Sequence, residues 1–210
     1  MSEVNFKWVN NMFDNKPITI FDIGCANMED TVNFKKINKD SLIYAFDCND
    51  FWIKPNTKTA IEHGIHYLHC AFADINGEIE FTPSLMQGTW LHPFSGSIYT
   101  PVNLHGKTYG EPIKTQCTTI DSFCDNFNVC PDFIHIDTEG SEYIIFQHMN
   151  KHKPKLIWAE TCGMYEYDTG KTGHDLSKLL VSLGYTEIYT GPGDSLYRRN
   201  DFETTQYEPL

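Results

Sequence analysis

Short apolar runs recur along the chain, each bounded by Gly, Asp or Asn: ITIFDIG (18–24), LIYAFD (42–47), IHYLHCAF (65–72), DFIHID (132–137) and KLIWAE (155–160). Their near-continuous apolarity predicts strands covered on both faces, as in a parallel sheet. Between the first three lie stretches with helical spacing. One begins near Asn27 and carries Val32, Phe34 and Ile37; the next runs from about Asp50 to His63. This β-α-β-α-β order predicts a doubly wound, Rossmann-like α/β fold with right-handed crossovers. Farther on, SEYIIFQHM (141–149) and HDLSKLLVSLGY (174–185) read as helices, the second with Gly184 as its C-cap. TEIYT and SLYRR read as a closing strand pair around the turn GPGD. One domain over 1–210 is expected, with a helical segment in 1–16 and a polar tail in 201–210.

Residues 76–119 break the alternation. They are rich in Gly, Pro and aromatics, and too long for an idle connection. The aromatics argue against disorder. Two readings stand: a binding loop, or an irregular satellite cluster at the sheet edge.

Composition narrows the function. The formal net charge of −12 over 210 residues argues against a nucleic-acid partner, which would need Lys and Arg to displace counterions. It equally disfavours an anionic membrane surface. Seven cysteines without a CxxC pair predict free, buried thiols in a reducing compartment, and zinc-ligand spacings are absent. The chain starts without a signal-like pattern, and no apolar run approaches the ~20 residues of a membrane span. A soluble, cytoplasmic protein is expected.

FDIGCANMED (21–30) ends a strand and opens a helix. Gly24 and Ala26 let the backbone turn sharply and approach a ligand closely. A dinucleotide loop would want GxGxxG to seat a pyrophosphate on the helix N-terminus. Here one Gly remains, and Asp22 before it would repel phosphate. A cationic, phosphate-free ligand such as S-adenosylmethionine fits better. YAFDCND (44–50) supplies Asp47 at a strand end, where an acid can accept both hydroxyls of a ribose. FIHIDTEGSEY (133–143) places Asp137, Glu139 and Glu142 behind another strand.

These segments, with AFADINGEIEF (71–81), TTID (118–121) and WAE (158–160), resemble the FkbM-type S-adenosylmethionine-dependent methyltransferases from Ile18 to about Tyr185. The resemblance implies a doubly wound sheet with a reversed last strand, and methyl transfer mostly to hydroxyls of sugars or natural products. It implies a cofactor site built from Asp22, Gly24, Cys25, Ala26, Asn27, Asp47, Cys48, Ala71, Phe72 and Asp137. Three positions depart from the family pattern. Met28 stands where a further Gly is usual, Asp47 where Glu is usual, and His135 where Lys is frequent.

Methyl transfer asks mainly for positioning and exclusion of water. An alcohol acceptor must also lose a proton to a base or to a metal-lowered pKa. Alternation along the strand points His135 and Asp137 the same way. Asp137 and Glu160 end neighbouring strands and would hold Mg²⁺ through two carboxylates. His135 and Glu139 are the alternative bases. Glu142 either joins this site or caps the next helix. Trp90, His92, Phe94, Tyr99 and Tyr165 would form the wall for a small-molecule or glycan acceptor, or else Trp90 and Phe94 are satellite core. A nicotinamide-dependent oxidoreductase is weaker for want of the glycine fingerprint, and an RNA ribose methyltransferase for want of basic charge. A binding fold that has lost catalysis is opposed by the joint presence of Asp22, Asp47 and Asp137.

Overall fold

The computed structural model describes residues 5–86, 94–102, 107–162 and 167–204. The chain begins with α1 (Phe6–Met12), β1 (Thr19–Ile23), α2 (Glu29–Ile37), β2 (Leu42–Asp47), α3 (Ile53–His63) and β3 (His66–His69). Next come β4 (Ala71–Phe72), β5 (Gly77–Met86), β6 (Gly96–Ser97), β7 (Lys107–Tyr109) and β8 (Ile113–Thr118). The last part is α4 (Ile120–Phe127), β9 (Phe133–Ile136), α5 (Glu142–Gln147), β10 (Leu156–Glu160), α6 (Gly173–Ser182), β11 (Tyr185–Thr190) and β12 (Asp194–Arg199).

The main sheet has seven strands in the order β11-β12-β10-β9-β1-β2-β3. Neighbours run parallel except at β12, which is antiparallel to both β10 and β11. The mostly parallel α/β sheet with a reversed final strand is therefore as expected. Period-two alternation sends side chains to two cores. Phe21, Ile23, Phe46, Ile134, Ile136, Ile157 and Ala159 pack on one face, against residues of α4, α5 and α6. Ile20, Ile43, Ala45, Phe133, Leu156 and Trp158 pack on the other, against α1, α2 and α3. With both faces covered, these strands have no polar side to show, which is why they read as unbroken apolar runs.

Four expectations need correction. IHYLHCAF is two strands: Cys70 N–H still bonds the Asp47 carbonyl at 3.0 Å, then β4 leaves the main sheet and pairs in parallel with β8. The 76–119 region is a second small sheet, β4-β8-β5-β6, with β7 also on β5. Its signal was the alternation Glu78-Ile79-Glu80-Phe81, where only Ile79 and Phe81 turn inward. Helix α4 went unread because it is short; its Ile120, Phe123 and Cys124 share one buried face and Thr119 caps it through the Ser122 N–H. The C-cap of α6 is Leu183, with Gly184 in the left-handed conformation one position later.

The tail is not wholly polar, since Phe202 stacks on Phe13 with ring centroids 5.1 Å apart. All seven cysteines are free, but Cys130 is exposed and only three are buried. Among the described residues no helix is long and apolar enough to cross a membrane.

The Asn-Gly pair that opens β5 works as a clamp. Asn76 Oδ1 accepts from Thr119 N–H (3.2 Å) and the Thr118 hydroxyl (3.1 Å), while Nδ2 donates to Ser122 Oγ (3.0 Å). It joins the small sheet to the start of α4. Asn76→Ala removes these bonds at an exposed site and is expected to cost about 1–2 kcal/mol, lowering Tm by a few degrees in thermal denaturation.

Candidate functional site

The carboxyl ends of β9, β1 and β2, three consecutive strands, surround a solvent-open cleft of about 550 Å³. That is the place at which open α/β sheets bind small molecules. Gly24 makes the cleft, because a Cβ there would stand 1.8 Å from the Asp137 carbonyl oxygen. Its φ of +83° also suits glycine. The N–H groups of Gly24 and Cys25 both donate to the Phe46 carbonyl, at 2.9 Å each. Ala26 (φ 41°) and Met28 (φ 60°) continue the turn in the left-handed region. Met28 thus adopts a glycine-like backbone at the position where the resembled family has Gly, and holds it by burying its side chain completely.

Asp47 ends β2 and faces the cleft. Its Oδ2 accepts from Ala26 N–H and its Oδ1 from Asn49 N–H, each at 2.8 Å. Burial pushes its carboxyl up to about 7, against the lowering effect of those two N–H groups. Cys48, Ala71 and Phe72 line the cleft as expected, as do Gly24, Ala26 and Asp137. Cys25 does not; its side chain is in the α2-side core. Asn27 is exposed and bonds the Glu29 N–H. Sequence reasoning missed Asn49, Cys70, Thr138, Ser141 and the stretch Ser95–Ile98, all on the cleft wall. Their clue in sequence was adjacency: Asn49 lies near Asp47, Cys70 beside Ala71, and Thr138 and Ser141 near Asp137.

Asp22 and His135 are the main correction. They lie opposite each other on β1 and β9, joined by His135 Nδ1 and Asp22 Oδ1 at 2.7 Å. The Thr31 hydroxyl of α2 donates to the other Asp22 oxygen. Both side chains are buried outside the cleft lining, and the His135 ring meets the edge of Phe34. Neither Asp22 as a cofactor ligand nor His135 as a base is supported. Burial works against the His135 cation, yet the Asp22 hydrogen bond and charge prevail and push its pKa up to about 9.

The three carboxylates of DTEGSE divide their work. Glu142, fully buried, folds the loop: Oε1 accepts from the Thr138 N–H and hydroxyl, both at 2.7 Å, and Oε2 from Gly140 N–H at 3.1 Å. Its role is structural, though it ties the preceding loop more than it caps a helix. Glu139 stands on the cleft wall at φ 56° and accepts the Tyr167 hydroxyl at 3.0 Å. Asp137 faces the cleft, and its carboxylate has no hydrogen bond or ion pair among the described residues. Burial, then the Glu139 charge, pushes it up to about 7. Glu160 is not on the cleft wall; its Oε1 receives the Cys162 thiol at 3.5 Å and its buried Oε2 has no partner. Burial and the Asp137 charge hold its carboxyl well above the usual range. Among the described residues no three His, Cys, Asp or Glu side chains converge as metal ligands; of the expected Mg²⁺ pair, Asp137 lines the cleft and Glu160 does not.

Of the expected acceptor wall, Trp90, His92 and Tyr165 lie outside the described residues. Phe94 lines the cleft, half exposed, and packs against Trp52 at 5.2 Å, close behind Asp47 in sequence. It is therefore placed at the β2 end of the cleft. Tyr99 is off the cleft wall, its N–H bonded to Ser97 Oγ at 3.1 Å.

The family profile of the methyltransferase FkbM domain matches residues 15–186. The fold is similar to that of methyltransferase FkbM from Methylobacillus flagellatus KT, at 15% identity and a TM-score of 0.55. The match covers 87% of this chain but 43% of that protein, so this chain spans under half its length. A putative caffeoyl-CoA O-methyltransferase from Staphylococcus aureus gives a TM-score of 0.51 at 12% identity, covering 95% of this chain and 84% of that one. TrmK from M. capricolum, solved with S-adenosyl-homocysteine, gives 0.50 at 13% identity, covering 99% of this chain and 74% of that one. No curated protein matches the chain. At these identities the structural likeness shows the fold.

The Asp22–His135 pair generates a stability prediction. Asp22→Ala leaves His135 buried without its carboxylate and is expected to cost about 3–5 kcal/mol in urea unfolding. In the parent protein the folded pKa of His135 is raised, so the pair's contribution is full below the ordinary value of 6.5 and lost as pH rises through about 9. Unfolding midpoints measured at pH 6 and pH 9.5 should show that loss, and Asp22→Ala should abolish the difference it contributes.

Proposed function

The chain belongs to the FkbM methyltransferase family, and on that premise we propose that it transfers a methyl group from S-adenosylmethionine to a hydroxyl of a sugar or similar small polyol. One observation carries the reading: Asp47 and Asp137 end strands on either side of β1 and face one cleft across Gly24. Each Asp47 oxygen accepts one N–H and keeps a lone pair, which suits a carboxylate receiving two ribose hydroxyls. Phe46, Ala71 and Phe72 offer apolar walls for a flat base. An oxidoreductase reading has no such support, since the phosphate-binding glycines are missing.

The bound cofactor would supply a methyl group on a positively charged sulfur. That group would pass to the acceptor oxygen, the carbon–sulfur electron pair staying on sulfur. The hydroxyl proton passes to Asp137, which faces the cleft with free acceptor capacity and a carboxyl pushed up to about 7, close to working pH. Glu139 stands on the same wall, oriented by the Tyr167 hydroxyl. Phe81 of β5 and Ser95–Ile98 form part of the cleft wall and restrict the access of water there.

Calorimetric titration with S-adenosylmethionine and with NAD⁺ tests the cofactor: binding of the first alone is expected. Asp47→Ala, folded by circular dichroism, should bind it at least about tenfold more weakly through loss of charge-assisted bonds. Unchanged affinity would refute the ribose assignment.

Asp137→Asn should lower turnover by about 10²–10⁴-fold while cofactor affinity stays within a few-fold. The rate should rise with pH and be half-maximal near 7, because the deprotonated carboxylate is the active form. A chelator should leave it unchanged. Full activity in Asp137→Asn would sink the base assignment, and chelator-sensitive activity restored by Mg²⁺ would reinstate a metal.

A further inference from the structure

Phe94 lines the cleft at the wrong end to serve an acceptor. Its ring packs on Trp52 with centroids 5.2 Å apart, and Trp52 caps the start of α3, just beyond the Asp47–Asn49 turn. The methyl group is needed beside Asp137, which ends a strand on the far side of β1. The backbone that carries Phe94 is fixed. Ser95 beside it presents its carbonyl to the Ser84 N–H at 3.0 Å and to the Ser84 hydroxyl. Gly96 and Ser97 pair with Pro83 and Thr82 of β5, and a Cβ on Gly96 would stand 2.5 Å from the Phe81 ring. One exposed Phe on an open surface would mean little. This one lines a cleft, is anchored beside it and is still 50% exposed.

Small side chains share this end. Cys48, Cys70 and Ala71 line the cleft beyond β2 and β3, and Cys48 and Ile98 pack on the buried cluster of Ala71, Ala73 and Cys117. Thin apolar walls beside an aromatic face suit a flat ring. The cofactor offers one. Its adenine and its sulfonium arm leave the ribose from opposite ends. A ribose held by Asp47 with its sulfur toward Asp137 therefore sends the base toward β2 and β3. Resting on the methyltransferase reading, we propose that Phe94 stacks on the adenine of S-adenosylmethionine, so that this part of the insert closes the cofactor site. Such stacking asks for an aromatic face as well as apolar surface, and every nucleobase has one to offer.

The experiment is calorimetry on the full chain with two probes, S-adenosylhomocysteine and 5′-methylthioadenosine, which keeps the adenosine and lacks the amino-acid tail. Phe94→Ala should weaken both by the same factor, about tenfold or more. Phe94→Trp keeps an aromatic face and should bind within a few-fold of the parent, whereas Phe94→Leu, apolar without that face, should resemble Phe94→Ala. Circular dichroism checks that each variant is folded; if Phe94→Ala is not, the comparison of Phe94→Leu with Phe94→Trp decides. Unchanged affinity in folded Phe94→Ala overturns the proposal, as does Phe94→Leu binding as well as Phe94→Trp. A loss confined to S-adenosylhomocysteine overturns it too, since the ring would then meet the tail. A parent protein that binds no S-adenosylhomocysteine sinks the methyltransferase reading and this inference with it. Parent binding that is indifferent to residue 94 sinks this inference alone.

Discussion

The backbone of β1 leaves the sheet at Gly24 so near the Asp137 carbonyl that a Cβ would sit 1.8 Å from the oxygen, while the Asp137 N–H is tied to the Ile23 carbonyl at 2.9 Å. No side chain can be accommodated there without moving the end of β9. On the other side, the Phe46 carbonyl takes both the Gly24 and Cys25 N–H groups, which fastens the turn to β2. Backbone alone therefore gathers three strand ends within reach of one ligand. Asp47, Asp137 and the loop that carries Glu139 are where they are because of that pinch.

Gathering carboxylates at adjoining strand ends raises their free energy, and the structure offsets it unevenly. Glu142 is compensated by three donors and Asp47 by two, so both serve as anchors for backbone. Asp137 and Glu160 receive no comparable help: burial and the Glu139 charge hold the Asp137 pKa up, and burial and the Asp137 charge that of Glu160. Paired carboxylates with such unequal surroundings are how one site keeps one acid ready to take a proton and others fixed in place. Asp22, by contrast, has its charge answered by His135 and works as a brace between β1, β9 and α2.

The insert is wired to this machinery through Tyr167. Its hydroxyl holds Glu139, its ring packs edge-on to Tyr109 of β7 at 6.4 Å, and its backbone bridges Pro101. The next residue, Asp168, donates its N–H to the Thr100 carbonyl at 2.9 Å. Gly140 beside Glu139 has no Cβ where the Tyr167 ring passes; one would stand 3.2 Å from Cδ2. The insert and the carboxylate on the cleft wall thus share one tyrosine.

The chain's apolar runs determined the fold class by themselves, because strands buried on both faces must be apolar throughout, and β2 was legible residue by residue. Gly24, Asp47 and Asp137 were legible too, since local turn chemistry and strand ends restrict what those residues do. The small sheet was less so: β5 alternates clearly, but β6 and β7 are too short to carry a period, and β4 is separated from β3 only by which partner it pairs with. What Asp22 and His135 do was decided by tertiary structure alone. Strand alternation says which face a side chain takes, and only the register of β1 against β9 and the position of Thr31 on α2 show that their charges are spent on each other. The same holds for Tyr167, whose hydroxyl finds Glu139 across 28 residues of chain, a pairing set by the folded path and by nothing local to either residue.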